Sequence, residues 1–200
     1  YSLVLAVHPG VPAKSVREFV DLVKASPGRI SYGSAGNATT SHLTMELFRR
    51  EAGIDMVHVP YKGAAPALND LIAGHVAAVF DSVSLVLPQV KTGKLRALGI
   101  SSKEHSPAMP DVPAISESGV KDFEVIGWYG VMAPAGIPKS AIDRLSRELS
   151  AILKEPAVKT QLESQGLDLI GADADRFAQL LAKEREKWRR VVTEARIKVD

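Results

Sequence analysis

The chain contains no cysteine, which removes disulfides, thiolate metal sites and cysteine nucleophiles together and leaves the compartment to be argued from other features. No apolar run approaches the roughly 20 residues that a membrane-spanning helix needs. Lysine and arginine never gather into a block: 25 basic residues are spread among 23 acidic ones, for a formal charge of +2. That distribution gives no electrostatic footprint for a nucleic-acid partner, while a small anion stays compatible with it. Tyr1 opens directly on a strand-like stretch with no basic leader and no small-residue cleavage site, so the expectation is a mature, trimmed or partial chain. What is present is core material: 46% of the 200 residues are hydrophobic, enough to bury a core in one or two compact domains.

Local punctuation alternates strands with helices. Residues 2–7 form a valine- and leucine-rich run stopped by Pro9-Gly10, and a helix follows in which Ser15 and Glu18 make a capping box before Pro27-Gly28. Strands are then expected over 30–33, 56–60, 76–80 and 95–100, with helices over 41–52, 66–73 and 84–91. This spacing predicts a mainly parallel sheet covered on both faces. Residues 106–120 hold three prolines and little periodicity, and are read as a surface excursion. A strand-like stretch follows over 125–133. The chain then turns helical over 141–153, 158–165 and 173–195, with a small strand at 168–170. No internal repeat, low-complexity tract or long linker separates these parts.

The stretch from Gly33 to Leu43 lies between a strand end and a helix start, and its residues are nearly all small or hydrogen-bonding. Glycines let the backbone approach a ligand, hydroxyls donate, and the first-turn amides of the helix point outward with a dipole that favours an anion. Thr39 to Ser41 would equally cap a helix with no ligand present. Ligands in open α/β sheets bind beyond the carboxyl ends of the strands, and two more loops should open at that edge: Tyr61-Lys62-Gly63 after one strand and Asp81-Ser82 after another. Asp81 can accept from a ligand or cap the next helix. Lys62 reads more simply as a solvated charge.

Several chemistries fail on spacing. His42 and Glu46 stand four apart on one helix face, but no third metal ligand follows at useful spacing. Ser34, His42 and Asp81 supply the residue types of a triad, yet Gly33 immediately precedes Ser34, which is not the glycine pattern of a nucleophile elbow. There is no dinucleotide fingerprint or phosphate loop, so no cofactor is expected. His8, His58, His75 and His105 lie on strand ends and loops and are read as structural or solvent-facing. Trp128 and Trp188 are read as core, with Trp128 also a candidate wall of the crevice or hinge.

Four strings carry a resemblance over the whole chain, in order: Ser34-Ala35-Gly36-Asn37-Ala38-Thr39-Thr40-Ser41-His42-Leu43, Val57-His58-Val59-Pro60-Tyr61-Lys62-Gly63, Ala108-Met109-Pro110-Asp111-Val112-Pro113, and Gly127-Trp128-Tyr129-Gly130-Val131-Met132-Ala133-Pro134. Together they resemble the tripartite tricarboxylate transporter receptors, the Bug-type extracytoplasmic solute receptors. The resemblance implies a type II-like periplasmic binding protein that closes on a small carboxylate and delivers it to membrane permease subunits, with no reaction. It implies ligand contacts from the loop, here Ser34, Ala35, Asn37, Thr39 and Thr40, with Asp81 near the cleft and tied to ligand selection; Tyr61 is a further candidate contact from its place at the same strand edge. Ala38 stands where many members have glycine.

The resemblance also implies a division of the chain. Residues 1–8 correspond to a crossover strand, 9–126 to one complete α/β lobe, and 127–200 to the C-terminal, helix-rich part of a second lobe. Family members carry a secretion signal and a glycine-rich loop ahead of this region, and nothing here corresponds to either. The uncovered helices of 127–200 should then find cover, with a homodimer as the expected outcome. Two other functions stay open on the residues alone: an α/β serine hydrolase, which Ser34→Ala would silence, and a solute-sensing interaction module.

Overall fold

A computed structural model describes residues 1–171 and 173–197. Ala172 and residues 198–200, all within the expected C-terminal portion, lie outside the described residues. Strands β1 (Leu3–Val7), β2 (Ser31–Ser34), β3 (Val57–Pro60), β4 (Ala78–Ser82) and β5 (Arg96–Ile100) form one sheet in the order β3-β2-β4-β1-β5. Four strands run in one direction, and β1 lies antiparallel between β4 and β5, with Leu3 opposite Ser82 and Val7 opposite Ala78. The expected mainly parallel sheet is therefore present, with β1 reversed. That reversal brings Tyr1 to the edge where β2, β3 and β4 end.

Helices α1 (Val16–Ala25), α2 (Thr40–Ala52), α3 (Ala64–Ile72) and α4 (Val83–Lys91) connect the strands. All five residues of β1 are buried, and their alternation sorts the core: Leu3, Leu5 and Val7 join one apolar cluster, Val4 and Ala6 another. The first cluster holds Phe48, Phe80 and Phe123 in mutual ring contact and carries the apolar side of α1. The second takes Leu68 and Leu71 of α3 and Val86 of α4. At the start of α1, Ser15 Oγ accepts from the Glu18 amide at 3.2 Å, while the Glu18 carboxylate reaches back to the Lys14 amide at 2.6 Å. The expected capping box is thus closed one residue early.

The proline-bearing segment is not a surface excursion throughout. Ile100 bridges Ala114, and Met109, Ala114, Ile115 and Val120 are buried. Its apolar residues plug the β5 edge, where a Cβ on Gly99 would lie 2.8 Å from Ile115. Two expected strands also fail to form. Ile126 makes a single bridge to Ser2, and residues 127–133 and 168–170 have no ladder. A strand needs a run of paired amides; pairing here stops at Gly127, which exchanges two backbone bonds with Tyr1, and among the described residues 128–133 and 168–170 have no paired neighbour.

Helices α5 (Lys139–Ile152), α6 (Pro156–Ser164) and α7 (Ala174–Glu194) complete the chain. Neither α5 nor α6 buries a residue. α7 is anchored, because Val191 is buried in the first cluster, Trp188 packs against it, and Glu194 pairs with Arg50 of α2.

Candidate functional site

The β2–α2 loop is built from its own polar groups. Ser34 Oγ accepts from the Gly36 amide at 3.2 Å, and the Ser41 hydroxyl accepts from the Ala35 amide at 2.9 Å. Thr39 Oγ1 donates to the Gly36 carbonyl at 2.7 Å and lies 3.1 Å from Ser41 Oγ, so Thr39 braces the turn. It precedes α2 as its N-cap residue without a side-chain cap bond of its own. The first-turn amides of α2 have no intrahelical acceptor, and no acidic side chain in that turn neutralises them. The positive end of the helix dipole therefore opens at the edge where β2 and β4 end, with no acidic side chain in its own first turn.

Two backbone bonds tie the next loop to this one: the Tyr61 amide donates to the Ser34 carbonyl and the Gly63 amide to the Ala35 carbonyl, each at 3.0 Å. Gly36 has φ 133°, and a Cβ there would lie 3.1 Å from the Tyr61 carbonyl. A side chain at Gly36 would meet both that contact and an unfavourable backbone.

The predicted side chains take different roles. Ala35 and Thr39 are half-buried in the loop, while Asn37 and Thr40 are exposed. Ser34 is 1% exposed and its hydroxyl is committed within the protein, 2.6 Å from His58 Nε2. Tyr61 does not present its hydroxyl to the crevice: it donates to Asp70 on α3 at 2.7 Å, and the ring lies against Gly33. Burial and the Asp70 carboxylate push the Tyr61 phenol up to about 12. Its place in the site is its backbone.

Asp81 is half-buried at the end of β4, and burial raises its carboxyl above the ordinary range, opposed by the Ser82 amide that donates to it at 2.8 Å. Two aromatic residues that the sequence reading did not select join it. The Tyr1 phenol sits near Thr40, Tyr129 and Asp81, and burial raises it above its ordinary range. The Tyr129 ring stacks on Tyr1 with centroids 5.1 Å apart and is 78% exposed. Gly127 permits this approach, since a Cβ there would lie 2.2 Å from the Tyr1 ring. The neighbouring Trp128 packs edge-on against Phe177 instead. Tyr129 was legible only as the middle of a Trp-Tyr-Gly string, and Tyr1 carried no signal.

The histidines are also redistributed. His58 is not solvent-facing, for it contacts Ser34, and its ring stacks on His42 with centroids 3.8 Å apart. His42 Nδ1 accepts from the Ala38 amide at 3.0 Å, so the triad of Ser34, His42 and Asp81 is not assembled. Glu46, considered with His42 for metal, is engaged by the Tyr32 hydroxyl and by Arg49 at 2.5 Å. A cavity of about 310 Å³ bounded by Arg49, Arg50, Val191 and Glu194 lies between α2 and α7, away from this edge.

Comparison with known proteins agrees over the whole length. Residues 1–197 match the family described as tripartite tricarboxylate transporter family receptor. A protein encoded in the tcbD-tcbE intergenic region of Pseudomonas sp. (strain P51) is 38% identical, with 94% of this chain and 57% of that protein covered. An R. palustris protein solved with adipate superposes with a TM-score of 0.91 at 28% identity, over 98% of this chain and 66% of that one. The periplasmic binding protein BugD superposes with a TM-score of 0.88 at 29% identity, over 98% and 67%. MatC from Rhodopseudomonas palustris, with bound malate, gives 0.86 at 30% identity, over 96% and 66%. This chain thus spans 57% of the curated relative and about two thirds of each solved neighbour.

Proposed function

Because the chain belongs to the tripartite tricarboxylate transporter receptor family, we propose that it is the carboxylate-gripping part of a periplasmic solute receptor that hands its ligand to permease subunits and catalyses no reaction. One observation carries the ligand class: α2 opens toward the crevice with first-turn amides that have no intrahelical acceptor, no acidic residue in that turn, and a loop of hydroxyls and small residues ahead of it. A carboxylate oxygen fits those donors. Thr40 and the amides of the turn would contact it, Ala35 and Asn37 would line the approach, and Ser34, Thr39 and the Tyr61 backbone would hold the loop. Asp81 would accept from a ligand hydroxyl, an amine or a bridging water and repel a second bare carboxylate placed against it. The structural neighbours carry adipate and malate, which sets the first compounds to try.

On this reading residues 9–126, crossed by the strand of residues 1–8, form the gripping lobe, and residues 127–200 contribute to another. The contrast in packing supports that division, because the sheet is buried on both faces while α5 and α6 bury nothing. The opposing wall of the cleft would come from the length of the relatives that has no counterpart here, so binding by this chain alone should be weak.

Hydrolysis has less support. Ser34 and His58 are within 2.6 Å, but Ser34 is 1% exposed and already accepts the Gly36 amide, leaving a substrate no approach. Calorimetric titration with adipate, malate and aromatic carboxylates tests the proposal. A saturable response is expected, weakened about tenfold or more by Thr39→Ala with Thr40→Ala, as the loss of one or two hydrogen bonds to a charged group implies. Silence across the whole panel would overturn it.

A further inference from the structure

The pair of stacked imidazoles behind the loop has no place in the proposed ligand contacts, yet it holds both halves of the turn. The Ala38 amide donates to His42 Nδ1 at 3.0 Å. That nitrogen must therefore be bare, with the proton on Nε2, which faces Glu46 Oε1 at 3.9 Å. His58 Nε2 lies 2.6 Å from Ser34 Oγ, the group that accepts the Gly36 amide. Gly36 and Ala38 flank Asn37, so the crest of the loop is held from behind at both sides by one ring each.

We propose that His42 is a positioning residue for the anion-binding loop: stacked on His58, it holds the Ala38 amide and so aims the opening turn of α2 at a bound carboxylate. The inference rests on the receptor reading for the word "bound", but its structural half stands apart from it.

Three features make the ring more than filler. Ala38 has φ 56°, a left-handed conformation that strains an alanine, so the turn needs an external tie to stay in place. The tie accepts a proton at the same atom. Protonating Nδ1 replaces an acceptor with a donor, sets two N–H groups against each other and releases Ala38. The surroundings oppose that event. Tyr32 from β2 and Glu46 and Arg49 from α2 are the ionisable groups facing the pair, and Glu46, which would favour a charged ring, is engaged by Tyr32 and Arg49. Burial, which outweighs these neighbours, holds both imidazoles below their ordinary range, His58 at about 4.

The shape of the ring gives a test that simple packing would not pass. An asparagine carbonyl can occupy the place of Nδ1, and a glutamine amide reaches toward Nε2 instead. Succinate titrations of the wild-type chain, His42→Asn and His42→Gln from pH 7.5 to pH 5 are therefore expected to separate. The wild type should hold its affinity through the ordinary imidazole range and lose it below. His42→Asn should bind within about threefold of wild type at neutral pH and lose less than wild type toward pH 5, since the protonation of succinate itself acts on both alike, and His42→Gln should lose about tenfold, the worth of one hydrogen bond. Nitrogen-15 NMR of the imidazoles supplies a ligand-free arm, in which His42 should show a bare Nδ1 at neutral pH. Equal losses in both variants, or a protonated Nδ1 in the wild type at neutral pH, would overturn the inference. If succinate does not bind, the NMR arm alone decides it, and the blank titration counts against the receptor reading instead.

Discussion

Ala38 holds a left-handed backbone that glycine adopts without steric cost. Ala38→Gly should therefore stabilise the protein by about 0.5–1 kcal/mol, less than the full 1–2 kcal/mol because the unfolded chain also gains freedom. A thermal melt should show the midpoint rise by roughly 1–4 °C, and a fall would show that the turn is not held as described. Asp81 and the two histidines respond to acid with opposite signs. Burial raises Asp81, so folding disfavours its charged form and Asp81→Asn should be more stable than wild type at neutral pH. Denaturation midpoints should converge as pH falls through the carboxyl range. Burial lowers His42 and His58, so their contribution is complete above about 6.5 and is lost as pH falls below that, for His58 toward about 4. A wild-type stability curve that stays flat across that window would contradict the assignment of neutral rings.

Among the elements, α7 and α5 differ in what they touch. Val191 on α7 is 3% exposed and Leu145 on α5 is 49% exposed. Val191→Ala should cost about 1–3 kcal/mol in urea denaturation, and Leu145→Ala should stay within about 0.5 kcal/mol. Equal effects would mean that α5 is covered in solution. The same difference explains what the sequence could reveal. Strands β1 to β5 and helices α1 to α4 were legible because each carries its own period and its own stop, as with Ser15 before α1 and Gly53 after α2. The three C-terminal helices were legible for the same reason. Residues 125–133 and 168–170 misled because β-like composition says nothing about whether a partner strand is present. Residues 106–120 misled in the other direction, since Ile115 is buried by a glycine sixteen positions earlier, at Gly99. At the site, the loop from Ser34 to Thr40 could be found from small and hydroxyl residues at a strand-to-helix junction. The roles within it could not. Tyr61 turns to Asp70, Ser34 turns to His58, and Tyr1 comes to this edge only because β1 runs against its neighbours.

Across the whole molecule, an enclosed sheet stands beside helices with an uncovered apolar side. Tyr129, Val131 and Met132 are 78%, 70% and 64% exposed, and Leu145, Ile152 and Ile170 are exposed with them. Apolar surface of this kind seeks cover, and the chain by itself should sediment as a dimer with little binding of an apolar dye. A monomer that binds no dye would contradict that expectation. Carboxylate binding itself is assigned to the amino end of α2, at the sheet edge where Tyr1 and Tyr129 stack. Its most direct measurement is a calorimetric titration of small dicarboxylates into the wild-type chain and into the Thr39→Ala, Thr40→Ala double variant. The account predicts saturable binding in the first, weakened about tenfold or more in the second. Binding of equal strength in both would place the carboxylate elsewhere and contradict the account.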